Sequence, residues 1–215
     1  MPNTMPARRG RPLVPEQELL DKIHAATISL LQARGYEATT IDEVARTAGM
    51  AKKTIYRFYA NKDRLIEQVI LLWSASIVPL PGEIPASRDA VLPQLEEMLC
   101  ALAQRVLSAE AVALYKLLQT PFTGREALLA LYRAKGIDNA RRLLREWFAT
   151  LRAHHLLNPH WQPEDGNHLL SMAIAAPLRD MALGVLQPVP QTDLRPHIRS
   201  VLHFVAPLLL TPAPA

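Results

Sequence analysis

The sequence predicts an all-α protein. Alanine and leucine dominate its 215 residues, β-branched residues are sparse, and long stretches contain no glycine. This composition favours helix over strand. Apolar residues also recur at helical spacing along most of the chain, and proline or glycine separates one helical stretch from the next. We therefore expect a small N-terminal helical unit followed by a larger C-terminal helical bundle.

Composition argues against a secreted or membrane protein. Cys100 is the single cysteine, so the chain cannot form an internal disulfide, which fits a reducing cytoplasm. The most apolar segments, 69–80 and 201–210, are shorter than the ~20 residues of a membrane-spanning helix. No apolar run of signal-peptide length follows the arginines near the N-terminus. We expect a cytoplasmic protein with no membrane partner.

The N-terminal region begins with a basic segment. Residues 1–15 contain four prolines and three arginines without an apolar period, which is typical of a flexible basic arm or of a solvated tail. Apolar residues recur at helical spacing from Glu16 onward, and Gly35 stands where a left-handed helix end is expected. The first helix is therefore predicted to run from Glu16 to Gly35.

Three further helices are predicted in this unit, at residues 41–48, 52–59 and 62–77. Thr40 and Glu43 have the spacing of a capping box at the start of the first of them. Gly49 supplies the positive φ of a tight turn, and Asn61 can cap the last helix.

The C-terminal region is separated by the loop 79–85, which holds three prolines and a glycine. Apolar spacing then predicts helices at 88–107, 109–119, 124–156, 164–186 and 193–210. Pro177 lies inside the fourth of these and is expected to kink it. Residues 211–215 are predicted to be a tail.

Two of the short N-terminal helices have the pattern of a helix-turn-helix. Val44 and Ala45 stand where the two helices pack closely, and Gly49 stands in the turn. Ile55 and Phe58 stand where the second helix needs buried apolar side chains. A small residue is required at position 45 because the helices cross steeply with little room between them.

Charge agrees with this pattern. Between residues 44 and 64 the basic residues outnumber the acidic ones, with Asp63 the one acid in that stretch against Arg46, Lys52, Lys53, Arg57, Lys62 and Arg64. Such a surface suits a polyanion, because each neutralised phosphate releases a counterion. Lysine and arginine also donate to the acceptor edge of guanine in the major groove. The alternative is a solvated basic helix in an ordinary bundle.

The segment GYEATTIDEVARTAGMAKKTIYRFYANKDRLIEQVI, residues 35–70, closely resembles the DNA-binding region of the TetR family of bacterial regulators. The resemblance implies a dimer with a DNA-binding domain at 16–62 and an effector-binding and dimerisation domain at 63–210. Residues 109–134 are also similar to the AefR-like subgroup of C-terminal domains.

The resemblance also assigns roles within the DNA-binding region. It places Lys52, Lys53 and Arg57 toward the bases or the groove, and it places on the phosphate backbone Thr40, Thr54, Tyr56 and Lys62. Ala51 departs from the family, because many relatives have a serine there that caps the helix and contacts phosphate. Phe58 and Tyr59 reverse the commoner order and leave open which ring is buried. We expect fewer hydroxyl contacts and a steep salt dependence.

An effector pocket is implied among the helices between residues 62 and 186. The candidate lining residues are Trp73, Cys100, Tyr115, Leu118, Trp147 and Leu151. Ordinary core packing is the alternative for each of them. Because no charged residue stands out as a partner for a charged ligand, a mainly apolar effector is expected, with no cofactor.

Metal binding and catalysis are not expected. His154, His155 and His160 could suggest a metal site, but neighbouring residues on a helix point about 100° apart and no cysteine or carboxylate pair joins them. The chain has no glycine-rich phosphate loop, no nucleophile elbow and no carboxylate pair at telling spacing. We therefore do not expect an enzyme.

A homodimer is expected because one short helix offers too little contact for a specific operator, and two can read half-sites about 34 to 36 Å apart. The family pairs its last two helices, here 164–186 and 193–210. Their apolar faces comprise Leu169, Leu170, Ala173, Ile174, Leu202, Val205 and Leu209. An intramolecular core would produce the same pattern. The sequence thus predicts a repressor released from a pseudopalindromic operator by an effector; a regulator without such a switch, and a helical protein of another class, are the alternatives.

Overall fold

The all-α prediction is confirmed: the described part of the chain contains helices and no β-strand. The computed structural model describes residues 15–75, 83–122 and 124–210, and the side chains of residues 73–75 are not described. The predicted basic arm, apart from Pro15, the predicted tail and most of the predicted loop 79–85 lie outside the described residues. None of the described helices is both long enough and apolar enough to cross a bilayer.

Four helices form the N-terminal unit: α1 (Glu16–Ala38), α2 (Ile41–Thr47), α3 (Lys52–Phe58) and α4 (Lys62–Ala75). Gly35 has φ 76° and breaks the regular path of α1, one turn before the element ends. The Thr40 hydroxyl accepts the Glu43 N–H at 3.2 Å, and the Asn61 side chain accepts the Arg64 N–H at 2.9 Å. Both predicted caps are therefore present.

One half of the predicted capping box is wrong. The Glu43 carboxylate does not bond back to the start of α2. It accepts hydrogen bonds from Arg34, at 3.2 Å, and from Arg46. Two nearby guanidinium groups are stronger donors to a carboxylate than one backbone amide is.

The C-terminal unit contains α5 (Val91–Val106), α6 (Ala109–Gln119), α7 (Arg125–Tyr132), α8 (Asp138–Ala153), α9 (Gly166–Leu170), α10 (Ala176–Ala182) and α11 (Arg195–Leu210). A π-helical turn at Arg133–Ile137 joins α7 to α8, and another at Ser171–Ala175 joins α9 to α10. The predicted helices 124–156 and 164–186 are thus two helical rods, α7 to α8 and α9 to α10, and each contains one π-helical turn. The second π-helical turn stands immediately before Pro177, which has no N–H to donate to the preceding turn.

The rod that contains Pro177 ends earlier than predicted. The sequence suggested an end at residue 186, whereas α10 ends at Ala182. Gly184 has φ 78°, and the N–H of Val185 bonds to the carbonyl of Asp180 at 2.8 Å. This is the Schellman arrangement, which terminates a helix once glycine takes the left-handed conformation.

The buried side chains form three clusters. The N-terminal core joins α1 to α4 and includes Ile23, Val44, Ala45, Ile55, Tyr59, Leu65 and Val69. The bundle core lies within the C-terminal unit and includes Leu95, Leu99, Leu144, Phe148, Leu151, Leu169 and Leu202. The junction core joins the two units and comprises Leu31, Tyr36, Ile66, Ile70, Leu117, Leu118, Leu128 and Tyr132.

Helix α4 contributes to two of these clusters. Leu65 and Val69 lie in the N-terminal core, whereas Ile66 and Ile70 lie in the junction core. Residues four apart share a helix face, so adjacent faces of one helix pack against different units. The predicted domain boundary at residue 62 falls at the first turn of this shared helix.

Two buried glycines provide a matched test of packing. A Cβ at Gly166 would lie 2.8 Å from Cε2 of Phe148, whose fully buried ring packs against Trp147 and Trp161. A Cβ at Gly136 would meet nothing within 4 Å. We expect Gly166→Ala to destabilise the fold by about 1–3 kcal/mol through overpacking.

The control, Gly136→Ala, is expected to stabilise it by about 0.5–1 kcal/mol, because alanine loses less backbone entropy in a helix. Urea unfolding followed by circular dichroism measures both free energies of unfolding. Equal effects of the two substitutions would contradict the packing described for Gly166.

Candidate DNA-binding surface and cavity

The turn between α2 and α3 has helix-turn-helix geometry. Gly49 has φ 66°, its N–H bonds to the carbonyl of Arg46 at 3.2 Å, and the N–H of Met50 bonds to the carbonyl of Ala45 at 2.9 Å. The side chains of Ala45 and Ile55 are buried where α2 and α3 pack together. The local pattern therefore holds α3 against α2 and leaves its other face on the surface.

The exposed face of α3 is basic. Lys52, Lys53, Tyr56 and Arg57 are exposed, and Thr54 is half-buried. The ammonium of Lys52 pairs with the carboxylate of Asp42, while no described residue pairs with Lys53. The guanidinium of Arg57 lies 4.4 Å from the centroid of the Phe58 ring. Lys53 and Arg57 can therefore contact a polyanion without first breaking an ion pair with a carboxylate.

The start of α3 has no side-chain cap. Ala51 holds the extended conformation of an N-cap residue, φ −75° and ψ 142°, but it has no side-chain oxygen for the first amides of the helix. By contrast, Thr40 caps α2 and is exposed, and its hydroxyl retains a hydrogen that it can donate.

The structure decides which aromatic ring at the end of α3 is buried. Tyr59 is 8% exposed, and its hydroxyl lies 2.5 Å from Nε2 of His24 on α1. Phe58 is half-buried beside it. Burial raises the pKa of Tyr59, and burial lowers the pKa of His24 against the opposing effect of Asp21. Tyr59 therefore fixes the end of α3 to α1, facing inward.

Lys62 lies at the junction between the units. Its ammonium donates to the Tyr36 carbonyl at 3.1 Å and lies 4.1 Å from the centroid of the Tyr36 ring. The Tyr36 hydroxyl donates to the Asp63 carboxylate, and burial followed by this bond raises the pKa of Tyr36. The Tyr36 ring stacks on Phe122 at 4.2 Å. Lys62 thus has a structural partner, and its phosphate contact stays a prediction.

A cavity of about 300 Å³ lies in the C-terminal unit, between α5, α6 and the two rods. Both π-helical turns line it: Gly136 and Ile137 from one, and Ser171 and Ile174 from the other. π turns recur at functional sites because they break the regular packing of a helix face. Its wall is mostly apolar, with polar atoms supplied by Tyr115, Tyr132, Arg141 and Ser171.

Tyr115 is the predicted pocket residue that lines this cavity. Leu118 lies in the junction core, Trp147 and Leu151 lie in the bundle core, and Cys100 packs against the bundle core. The Trp73 side chain lies outside the described residues.

The difference has a geometric cause. Residues 144, 147, 148 and 151 form the buried stripe of α8, whereas the cavity is lined by the preceding π turn and by Ala140 and Arg141. Arg141 and Gly136 were not predicted from the sequence, where the one available signal was a glycine inside a helical stretch.

The three histidines considered for a metal do not converge. His155 has φ 57° and ends α8 in the left-handed conformation, with His154 exposed beside it. Within the described ranges, no group of three or more histidine, cysteine or acidic side chains is placed to hold a metal ion.

Comparison with known proteins agrees with this geometry. Residues 23–69, which span the helix-turn-helix and most of α4, match the sequence model of the family described as bacterial regulatory proteins, tetR family. Residues 23–69 thus resemble the helix-turn-helix region of that family. It is also 31% identical over 87 residues to the HTH-type transcriptional regulator YdeS of Bacillus subtilis, a match that covers 40% of this chain and 43% of YdeS. The chain thus spans less than half the length of that relative.

The structural likeness extends beyond the matched residues. A TetR-family regulator from Mesorhizobium loti superposes with a TM-score of 0.70 at 18% identity, covering 93% of this chain and all of the other. FadR from Bacillus subtilis, in complex with stearoyl-CoA, superposes with a TM-score of 0.66 at 13% identity, covering 86% and 96%. At such identities the likeness establishes the fold.

The bond between His24 and Tyr59 predicts a pH dependence of stability. The pKa of His24 is lowered in the folded protein, so the unfolded chain binds more protons below its ordinary pKa of about 6.5. Stability is therefore lost as pH falls through about 6.5 toward the lowered pKa. Thermal unfolding between about pH 7.5 and about pH 5.5 measures this loss.

His24→Gln is the control, because an amide can still bond to Tyr59 and does not titrate in this range. The fall in Tm of the native chain should exceed that of the variant. Equal falls would show that His24 is not the group responsible.

The uncapped start of α3 predicts a stabilising substitution. Ala51→Ser places a hydroxyl at a residue that already has the backbone conformation of an N-cap. We expect a gain of about 0.5–1 kcal/mol in the free energy of unfolding. Urea unfolding measures it, with Ala60→Ser, an exposed position outside the helices, as the control. No gain at position 51 would contradict the capping argument.

Proposed function

We propose that this protein is a dimeric transcriptional repressor that binds a pseudopalindromic operator through α3. The observation that carries the proposal is the exposed pair Lys53 and Arg57 on a helix whose other face is fixed by Ile55. In a helix-turn-helix, such a helix enters the major groove, where basic side chains meet phosphates and guanine edges. Occupying the operator would exclude polymerase and so repress transcription.

Phosphate contacts are proposed at Thr40, Thr54, Tyr56 and Lys62, and base or groove contacts at Lys52, Lys53 and Arg57. Lys52 would give up its surface ion pair with Asp42, which contributes little to stability, for a contact in the DNA groove. Because α3 starts without a hydroxyl at residue 51, the surface relies on charge more than on neutral hydrogen bonds. That reliance supports the steep salt dependence expected from the sequence.

Substituting the basic face tests DNA binding. Selection from random duplex DNA first supplies a site, and fluorescence anisotropy then measures Kd at several salt concentrations. The double variant Lys53→Ala with Arg57→Ala should weaken binding by about 2–5 kcal/mol, as expected for about two lost contacts. The slope of log Kd against log salt concentration should become shallower by about one to two.

The control is Arg142→Ala with Arg145→Ala, which removes two exposed cations from α8 and should leave Kd and slope unchanged. Unchanged affinity in the α3 variant would refute α3 as the DNA-reading helix. A flat salt response of the native protein would refute the charge argument alone.

The proposed dimer uses the segments 164–186 and 193–210. The residues first expected to face a partner, such as Leu169, Leu202 and Leu209, are instead buried within one chain, in the bundle core. The exposed apolar side chains of these segments are different ones: Phe204 and Leu208, one turn apart on α11, and Leu183 and Val185 after α10, each at least 61% exposed. Large apolar residues grouped on a surface favour a protein partner.

Placing charge on this surface tests the dimer. Phe204→Glu with Leu208→Glu should convert the protein to a monomer, because two carboxylates would be buried without partners at the interface. Light scattering after size-exclusion chromatography measures the mass at micromolar concentration. The control is Ile84→Glu, at an exposed apolar residue far in sequence from the proposed interface, and this variant should remain a dimer. A native monomer, or a dimeric double variant, would contradict the proposed interface.

We infer that the cavity is the effector site. FadR, which shares the fold, is seen with stearoyl-CoA, and this supports a small-molecule ligand here. Tyr132 lines the cavity and is also part of the junction core, where it joins Ile66 and Ile70 of α4. A ligand that favours one position of Tyr132 would bias α4 and thereby the spacing of the two DNA-reading helices.

A further inference from the structure

The cavity lining includes a charged side chain that the sequence pattern did not indicate. Of the described residues that line it, Arg141 alone is charged. Ser171, Tyr115 and Tyr132 also supply hydroxyl groups, and the other lining side chains are apolar. A site of this kind suits a ligand that is apolar over most of its surface and polar at one end.

The guanidinium of Arg141 is not bound tightly by a carboxylate. Its nearest acid is Asp138, with 3.8 Å between Nη1 and Oδ1, which is too long for a hydrogen bond. The same carboxylate lies 3.5 Å from Nε of Arg133, so one acid faces two guanidinium groups. The net charge of these three side chains is positive. The Arg141 guanidinium can donate two parallel hydrogen bonds to an incoming carboxylate.

The tyrosines at the cavity are donors. Tyr132 is buried, and burial, with a smaller contribution from Tyr115, raises its pKa to about 12. It is therefore protonated at neutral pH and is not a competing anion near Arg141. The charged chemistry of this cavity is then set by the guanidinium.

The volume limits the ligand. At roughly 30 Å³ for each water-sized group, a cavity of about 300 Å³ holds on the order of ten such groups. A medium-chain carboxylate such as decanoate has that size. Gly136 contributes to the space, because it is buried and a Cβ there would meet no atom within 4 Å.

We propose that the cavity binds an amphipathic organic acid, with its apolar body between α5 and the two rods and its carboxylate on Arg141. The inference rests on the proposed function, because it takes this cavity as the effector site. It deepens that function by giving the effector an anionic end, where the sequence had suggested a mainly apolar molecule.

Three compounds with the same chain test the charge. Isothermal titration calorimetry on the whole 215-residue chain measures the binding of decanoate, 1-decanol and decyltrimethylammonium, each below its micelle concentration. Decanoate should bind at least about tenfold more tightly than the other two, because a hydrogen-bonded charge at a partly exposed site is worth about that factor. Equal affinity for decanoate and 1-decanol would overturn the proposal.

Two arginine variants locate the carboxylate. Arg141→Met keeps the length of the side chain and should weaken decanoate binding about tenfold without changing that of 1-decanol. Arg142→Met is the matched control, since Arg142 pairs with Glu146 and does not line the cavity. Unchanged decanoate affinity in Arg141→Met, or an equal loss in both variants, would overturn the assignment of Arg141.

A third variant locates the alkyl chain of the ligand. Gly136→Val fills the open space and should weaken decanoate and 1-decanol together, with Gly136→Ala as a smaller change that retains the fold. If Gly136→Val left the affinity for decanoate unchanged, the alkyl chain would have to bind elsewhere, and the proposed binding site would be refuted. If decanoate fails to bind while operator binding persists, this inference fails and the proposed regulator stands. If operator binding fails while decanoate binds as expected, the proposed function fails instead.

Discussion

The two-sided packing of α4 is the constraint on which the rest of the structure depends. Leu65 and Val69 are fixed in the core of the helix-turn-helix, and Ile66 and Ile70 are fixed in the junction core. The interior of a protein is densely packed, so a helix held on two faces cannot move toward one unit without disturbing the other. Any rearrangement of the C-terminal unit that moves α4 therefore also moves α3.

Polar contacts reinforce this packing at the start of α4. Tyr36 receives the Lys62 ammonium on its carbonyl and ring, donates to Asp63, and stacks on Phe122 of the C-terminal unit. One residue, Tyr36, thus ties the end of α1, the first turn of α4 and the loop after α6. Because Asp63 accepts a hydrogen bond from the Tyr36 hydroxyl, its carboxylate faces the junction, and the acid that pairs with the basic surface is Asp42.

The C-terminal unit combines close packing with a deliberate gap. On one side of the rods, Gly166 allows the Phe148 ring to approach within contact distance, and aromatic rings surround it. On another side, two π turns and Gly136 leave a cavity. Irregular helix geometry costs stability, and it is expected where a site must be shaped. The proposed effector site lies at this departure from regular packing.

The sequence by itself determined the helical class and the helix-turn-helix. The signals for Thr40, Gly49 and Asn61 act over a few residues, so local chemistry fixes the caps and the turn. The family pattern over residues 35–70 added the expectation of a DNA-reading α3, and the match to residues 23–69 supports it.

Only the tertiary structure decided which apolar faces meet. The order of Phe58 and Tyr59 could not show that Tyr59 turns inward, because its partner, His24, lies on another helix. Apolar spacing on α11 could not separate Leu202, which is buried in one chain, from Phe204, which is exposed, since a core and an interface have the same period. The cavity likewise depends on Gly136 and Arg141 of one rod and on Ser171 of the other, which meet only when those rods pack.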